Sequence, residues 1–108
     1  MAKVYIYHSQ NFADSMMYGK ASTIWNEFIA VKAYIEGKYD FAGELEIPLF
    51  GPGVTEVEAC LEHAYMRSQN IDSHWNKANP CRSTSVGDII KIEDDLYIVG
   101  SVGFDKIS

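Results

Sequence analysis

Four side chains in the second half of the chain are of types that bind metal ions. Cys60 and His63 lie three residues apart on a predicted helix, and His74 and Cys81 follow downstream. Zinc prefers thiolate and imidazole ligands, but this spacing resembles no compact zinc finger, and Cys60 falls on the inward side of its helix. We therefore expect two reduced thiols and two surface histidines, with no metal and no other cofactor.

A nucleophile with a neighbouring base can also be assembled from this part of the chain. Cys81 or Ser85 would be the nucleophile, with His74 and Asp88 beside it, because a thiol or hydroxyl needs a base to become reactive. The sequence contains no nucleophile elbow, no phosphate-binding glycine loop and no dinucleotide fingerprint. A small enzyme is therefore the least favoured alternative, and we assign no catalytic residue.

The segment 82–88, RSTSVGD, is dense in side-chain hydroxyl groups beside a glycine. Such residues shape tight turns through side-chain hydrogen bonds to the backbone, so Ser85 and Asp88 would form a turn while Arg82 pairs with Asp88. The alternative makes Arg82, Ser83 and Ser85 a contact surface for an anion or a partner protein. The general tendency of these residues favours the structural turn.

An antiparallel hairpin is predicted directly after this turn, because two β-favouring runs are separated by a short acidic loop. A three-residue loop over 93–95 would place Ile92 opposite Leu96. It would also place Ile90 opposite Ile98. This register gathers four aliphatic side chains on one face, so we prefer it to a loop of two residues, Asp94 and Asp95.

The polar loop 69–80, QNIDSHWNKANP, leads into the same segment. A loop of this length in a compact domain is often functional. Its Trp75 is nonetheless expected to pack over the core rather than to face a ligand, because a large indole left in water is costly.

A long amphipathic helix is predicted over 22–36. Apolar residues recur there at helical spacing and should face the core, namely Ile24, Phe28, Val31 and Ile35. Ser22 or Thr23 can cap the start of this helix. Gly37 lies where a left-handed residue would end it.

A second helix is predicted over 55–68, where Thr55 and Glu58 have the spacing of a capping box. Its inward positions are Val57, Leu61 and Ala64, with Cys60 beside them.

One helical turn is predicted over 14–18, ended by Gly19. Met16, Met17 and Tyr18 would plug the edge of the core, and an adaptable surface for a partner is the alternative.

The fold class predicted from these elements is α+β, in one domain over 1–108. A small antiparallel sheet of about four strands packs against the two main helices, which cover one of its faces. The predicted strands are 3–8, 42–47, 88–93 and 96–102. Val4, Ile6 and His8 alternate with two tyrosines in the first strand. Pro48 follows the second strand and predicts that it lies at a sheet edge.

The net charge is −6, from 15 acidic and 9 basic residues. This balance disfavours sequence-independent binding of nucleic acid. A nucleic-acid-associated module remains an alternative if Lys20, Arg67, Lys77 and Arg82 gather into a local basic patch. The acidic total would also suit a mimic of nucleic acid.

The first ten residues, MAKVYIYHSQ, lack the features of a secretory signal. Apolar runs in the chain fall short of the ~18 residues that a membrane span requires. We therefore expect a cytoplasmic protein that does not associate with membranes.

An ordered set of short motifs carries a resemblance to a known group of proteins. These motifs are Ser15-Met16, Gly19-Lys20, Asn70-Ile71-Asp72, Trp75, the segment 82–88 and Gly103-Phe104. The chain resembles small uncharacterised proteins of bacteriophages and mobile elements, similar to the YodL-like domain, that carry an RSxSVGD motif before a hairpin and a glycine-phenylalanine pair. The resemblance implies a cytoplasmic protein of an infected bacterial cell, and it supplies no catalytic residue.

The first functional hypothesis is therefore a small phage-type accessory protein that is not an enzyme. It would be an interaction module that binds a host bacterial protein and modulates it. The loop 69–82 and the turn 82–88 would form its contact surface, through Trp75, Asn76, Arg82, Ser83, Ser85 and Asp88. The oligomeric state is left open.

Overall fold

The protein is an α+β fold, as predicted. The structure is a computed structural model that describes residues 2–20, 24–47, 56–71 and 73–108. Within these residues the elements, in chain order, are β1 (Ala2–Ser9), α1 (Phe12–Ser15), α2 (Glu27–Ile35), β2 (Tyr39–Ile47), α3 (Glu56–Arg67), β3 (Ile89–Ile92), β4 (Asp95–Val99) and β5 (Phe104–Lys106).

The strands of the described residues form one antiparallel sheet in the order β2-β1-β3-β4-β5. The edge position of β2 confirms the prediction made from Pro48. The fifth strand was not predicted, because β4 ends at Val99 and the chain turns back through 100–103 instead of extending to residue 102. Gly103, with a φ of +83°, lies in this reversal.

The hairpin register predicted from the sequence is wrong by one residue. The loop consists of Glu93 and Asp94, so Ile92 lies opposite Asp95. Ile90 therefore faces Tyr97 rather than Ile98. Glu93 has a φ of +54°, which suits the first loop position of a two-residue hairpin. The prediction failed because it collected aliphatic residues on one face, whereas both faces of this hairpin are buried.

Helices cover both faces of the sheet, where one covered face was predicted. On one face α3 supplies Cys60, Leu61 and Ala64 to a core of Val4, Ile6, Ala42, Ile47, Ile90, Tyr97 and Val99. On the other face Trp25 and the α2 residues Ala30 and Ala33 pack with Tyr18, Tyr39, Ile89, Leu96 and Ile98. Adjacent strand residues point to opposite faces, so a strand that is apolar at successive positions is buried on both.

The buried face of α2 is not the predicted one. Ala30 and Ala33 point into the core, with Trp25 just before the helix. Phe28 and Ile35, both predicted to face inward, are 77% and 76% exposed. The segment is apolar on more than one side, so periodicity alone did not identify the stripe that packs. The small alanines allow close packing, and aromatic rings such as Tyr34 and Tyr39 fill the layer.

The two ends of α2 are formed by local hydrogen bonds. Asn26 caps the start, since its Oδ1 accepts a hydrogen bond of 3.0 Å from the backbone N–H of Ile29. The caps predicted at Ser22 and Thr23 lie outside the described residues. At the other end Gly37 has a φ of +77°, and the N–H of Lys38 donates to the carbonyl of Ala33 at 2.8 Å. This is a Schellman motif, and the prediction for Gly37 is confirmed.

The remaining helical predictions are partly confirmed. The helical turn is present as α1, two residues earlier than predicted, and Gly19 has a φ of +84°. Tyr18 is buried, whereas Met16 and Met17 are 42% and 36% exposed. The predicted helix over 55–68 is α3, and the cap predicted at Thr55 lies outside the described residues. In the part of the chain that is described, no helix has the length and apolar character to cross a membrane.

Candidate functional site

The segment 82–88 is organised by the carboxylate of Asp88, which is fully buried. Nη1 of Arg82 donates to Oδ2 at 2.6 Å, and Nη2 donates to Oδ1 at 2.7 Å. The backbone N–H groups of Ser9 and Ser85 donate to the same two oxygens at 2.9 and 2.8 Å. A buried charge is tolerated only when it is paired and hydrogen-bonded, and both conditions are met here. The predicted pairing of Arg82 with Asp88 is confirmed.

The guanidinium of Arg82 also contacts the start of α1. It lies 4.2 Å from the centroid of the Phe12 ring, in the geometry of a cation–π interaction. Nη1 donates to the carbonyl of Ser83 at 3.0 Å. The side chain keeps 30% of its surface exposed. Arg82 therefore stabilises the turn and also contributes to the protein surface.

Gly87 lies close against Ser15 at the end of α1. Its φ is +91°, and a methyl group there would overlap the carbonyl of Ser15. The hydroxyl of Tyr39 donates to the carbonyl of Gly87 at 2.6 Å. Burial raises the pKa of Tyr39, so the hydroxyl stays a donor at ordinary pH. Glycine is thus required at this position for both conformation and space.

The loop 69–80 is tied to the turn by Asn70. Its side-chain Nδ2 donates to the carbonyl of Cys81 at 2.6 Å, and its Oδ1 accepts from the backbone N–H of Trp75 at 2.8 Å. The indole Nε1 of Trp75 donates to the carbonyl of Arg82 at 3.2 Å. The ring is partly buried and packs against the core at Gly43, in agreement with the structural interpretation of Trp75.

Asn76 connects the same loop to the edge strand β2. Its Nδ2 donates to the carbonyl of Ala42 at 2.8 Å. Ala42 is the extra residue of a bulge, because Ile6 pairs with Gly43 and Tyr7 pairs with Phe41. The loop therefore covers part of an edge that would otherwise be open to another strand.

His8 is a site residue that the sequence analysis did not identify. It is 6% exposed, and a hydrogen bond of 3.0 Å joins its Nε2 to Oγ1 of Thr84. The ring lies edge-on to Trp75, with 6.3 Å between centroids. Burial lowers the pKa of His8. The available signal was its position in the alternation of β1, which places an imidazole on the face of Val4 and Ile6.

A cleft of about 570 Å³ opens where β1, β2 and the segment before the turn meet. Its lining consists of His8, Ser9, Gln10, Phe12, Asp40, Phe41, Ala42, Asn79, Cys81 and Arg82. Phe41 is 53% exposed and Phe12 is 39% exposed, and both line this cleft together with Arg82.

The six residues predicted as a contact surface belong to one connected network. Trp75, Asn76 and Arg82 are partly exposed and contribute both hydrogen bonds and surface. Ser83 is half-buried and accepts a hydrogen bond of 2.7 Å from the backbone N–H of Asn70. Ser85 supplies its N–H to Asp88, as described above. Asp88 itself has no exposed surface, so it could influence a partner only through the residues that it holds in place, which include Arg82 and Ser9.

The metal site and the nucleophile with a neighbouring base, which the sequence analysis considered, are not supported by the contacts of the described residues. Within the described ranges, no group of three or more histidine, cysteine or acidic side chains could hold a metal ion. Cys60 and Cys81 are free thiols. Burial raises the pKa of Cys81, which keeps its sulfur protonated and poorly nucleophilic near neutral pH. Both oxygens of Asp88 are engaged by donors, which leaves no oxygen to act as a base.

Comparison of the chain with protein-family models, with curated proteins and with solved structures finds no significant match.

Proposed function

We propose that the protein is a non-enzymatic interaction module whose contact surface is the cleft beside Arg82. The observation that carries this proposal is the joint exposure of Phe12, Phe41 and the Arg82 guanidinium in one concave lining. Aromatic and arginine side chains are enriched in protein interfaces and contribute most of their binding energy.

The contacts that hold Arg82 and Phe41 in place support the proposal. Arg82 is fixed by Asp88 and Phe12, and Phe41 contacts Tyr7 edge-on at 5.7 Å between ring centroids. Side chains that are already held in place lose little conformational entropy when a partner binds. A rigid aromatic and guanidinium surface can therefore bind a protein without first having to order itself.

The resemblance to proteins of bacteriophages and mobile elements supplies the biological part of the proposal. Following it, the partner is a host bacterial protein that the module binds and modulates in the cytoplasm of an infected cell. The alternative of a nucleic-acid-associated module has less support in the geometry. Of its four cations, Arg82 is paired with Asp88 and Arg67 donates to the carbonyl of Glu46 at 2.9 Å.

The test is an affinity capture from nuclease-treated bacterial lysate with the tagged protein and two variants. Phe41→Ser removes an exposed ring of the cleft. Val102→Ser is the control, because Val102 is 95% exposed and lies outside the cleft lining. One stoichiometric protein captured by the wild type and by Val102→Ser, but lost with Phe41→Ser, supports the proposal. Capture of nucleic acid alone, or of nothing, contradicts it.

A further inference from the structure

The outward stripe of α2 consists of the apolar side chains that the sequence predicted to be buried. Phe28 is 77% exposed and Ile35 is 76% exposed, while Ile24, just before the helix, is 60% exposed. Val31 lies between them and is half-buried. A helix turns about 100° per residue, so the mean direction of this stripe lies about 160° from that of Ala30 and Ala33. The stripe therefore points away from the core.

The spacing within the stripe is that of a helix-to-helix seam. Phe28, Val31 and Ile35 are separated by three and then four residues, which corresponds to the a, d and a positions of a heptad. Ile24 lies before the extended N-cap residue Asn26, so it is not part of this helical pattern. In a lone copy such a contiguous apolar surface is exposed to water, and exposed patches of this kind are often functional.

The charged residues beside the stripe are complementary to those of a second copy. Glu27 takes a g position and Lys32 the following e position, and both are exposed. In a parallel pair, g of one helix approaches the next e of the other, so Glu27 would meet Lys32 of the second copy on both sides of the seam. An antiparallel pair would instead bring equivalent flanks together, lysine beside lysine.

We infer that α2 is a self-association surface, on which a second copy of this chain packs parallel along Phe28, Val31 and Ile35. From the usual size of these side chains, the stripe offers roughly 400 Å² of apolar surface per copy. This is about half of the ~800 Å² that each partner buries in a standard interface. The pair is therefore weak. The surface shares no residue with the cleft beside Arg82.

Analytical ultracentrifugation over a wide concentration range tests this inference with a charge-reversal cycle. Glu27→Lys and Lys32→Glu should each weaken the dimer roughly three- to tenfold, because each creates like-charge contacts across the seam. The double variant restores both opposite-charge contacts and should return to within about twofold of the wild type. The hydroxyl of Tyr18 loses a 3.2 Å bond in Glu27→Lys but keeps its 2.7 Å bond to Asp105.

Phe28→Ser tests the seam itself, with Phe41→Ser as a matched change of an exposed ring elsewhere. Phe28→Ser should abolish the dimer without lowering the thermal midpoint of the diluted protein, and Phe41→Ser should leave the dimer intact. A wild type that stays monomeric at millimolar concentration overturns the inference. So does a dimer that survives Phe28→Ser, or a double charge reversal as weak as the single ones. Occupation of the stripe by a different protein, with no dimer of the free chain, would also overturn it.

Discussion

Arg82 and Asp88 form a bidentate ion pair in which the carboxylate is entirely buried and the guanidinium reaches the surface. The pair connects the inside of the fold to the cleft that we propose as a contact surface. Because Asp88 also accepts backbone N–H groups from Ser9 and Ser85, it joins the end of β1 to the turn before β3. A change at the buried end therefore acts on the position of the exposed end.

The first prediction concerns the two ends of this pair. Asp88→Ala should lower the free energy of unfolding by about 3 kcal/mol, because it leaves two N–H groups and a partly buried cation without their acceptor. Arg82→Ala should cost a similar amount, about 3 kcal/mol, because it leaves the fully buried carboxylate of Asp88 with its backbone donors but without its counter-charge. Chemical denaturation of both single variants and the double variant gives the coupling free energy, which should be about 1 kcal/mol or more. Additive effects would show that the pair contributes nothing to stability.

The second prediction compares two glycines that both have positive φ. Gly37→Ala should cost about 1 kcal/mol, because a methyl group there meets no atom within 4 Å and only the backbone conformation is strained. Gly87→Ala should cost several times more, at least about 3 kcal/mol, since its methyl group must displace the backbone of Ser15. Thermal or denaturant unfolding of the two variants measures the difference. Equal costs would mean that α1 moves freely away from the turn.

The third prediction is a loss of stability in acid that depends on His8. Burial lowers the pKa of this imidazole in the folded state, so the unfolded chain binds the proton more readily. The stability that the neutral ring contributes is complete above the unfolded pKa of about 6.5 and decreases as the pH falls towards the folded pKa. Stability should decline between pH 7 and pH 5 by at most about 1.4 kcal/mol per pH unit from this group.

His8→Gln and His74→Gln isolate the origin of that decline. Urea unfolding at several pH values should show a smaller acid slope in His8→Gln than in the wild type. His74→Gln is the comparison variant, because His74 lies exposed in the loop. A wild-type slope in His8→Gln would assign the acid sensitivity to other groups.

Local chemistry made several parts of the fold predictable. The composition of RSTSVGD indicated a turn held by side-chain hydrogen bonds, and the pairing of Arg82 with Asp88 is present. Gly37 ends α2 in the left-handed conformation that its position indicated. The edge position of β2 was predictable from Pro48, since proline cannot donate a ladder hydrogen bond. In each case the deciding interaction lies within a few residues of the signal.

The predictions of the buried side of α2 and of the hairpin register were wrong because tertiary packing decides both. In each case the local sequence fits two arrangements equally well. The α2 segment is apolar on two sides, and the side that packs depends on the shape of the sheet beneath it, which favours Ala30 and Ala33 over Phe28 and Ile35. The hairpin register depends on burial of both faces, which the sequence of the hairpin alone does not determine.

The cleft could not be predicted from the sequence, because the residues that line it come from segments that are far apart in the chain. His8 from β1, Phe41 from β2 and Arg82 from the turn meet only through the order β2-β1-β3. Arg82 could be singled out from its motif, whereas Phe41 carried no signal beyond a β-favouring aromatic residue.

The most direct test of the proposed contact surface is a calorimetric titration of the captured partner, once purified, into the wild type, Phe41→Ser and Phe28→Ser. Each variant loses one exposed phenyl ring. A difference in affinity between the two variants therefore depends on where the ring lies and not on the type of substitution. Phe41→Ser should weaken binding at least about tenfold, the loss typical of a central aromatic contact, while Phe28→Ser stays within about twofold of the wild type. Unchanged affinity in Phe41→Ser, with an unchanged thermal midpoint, would contradict the assignment of the cleft as the contact surface.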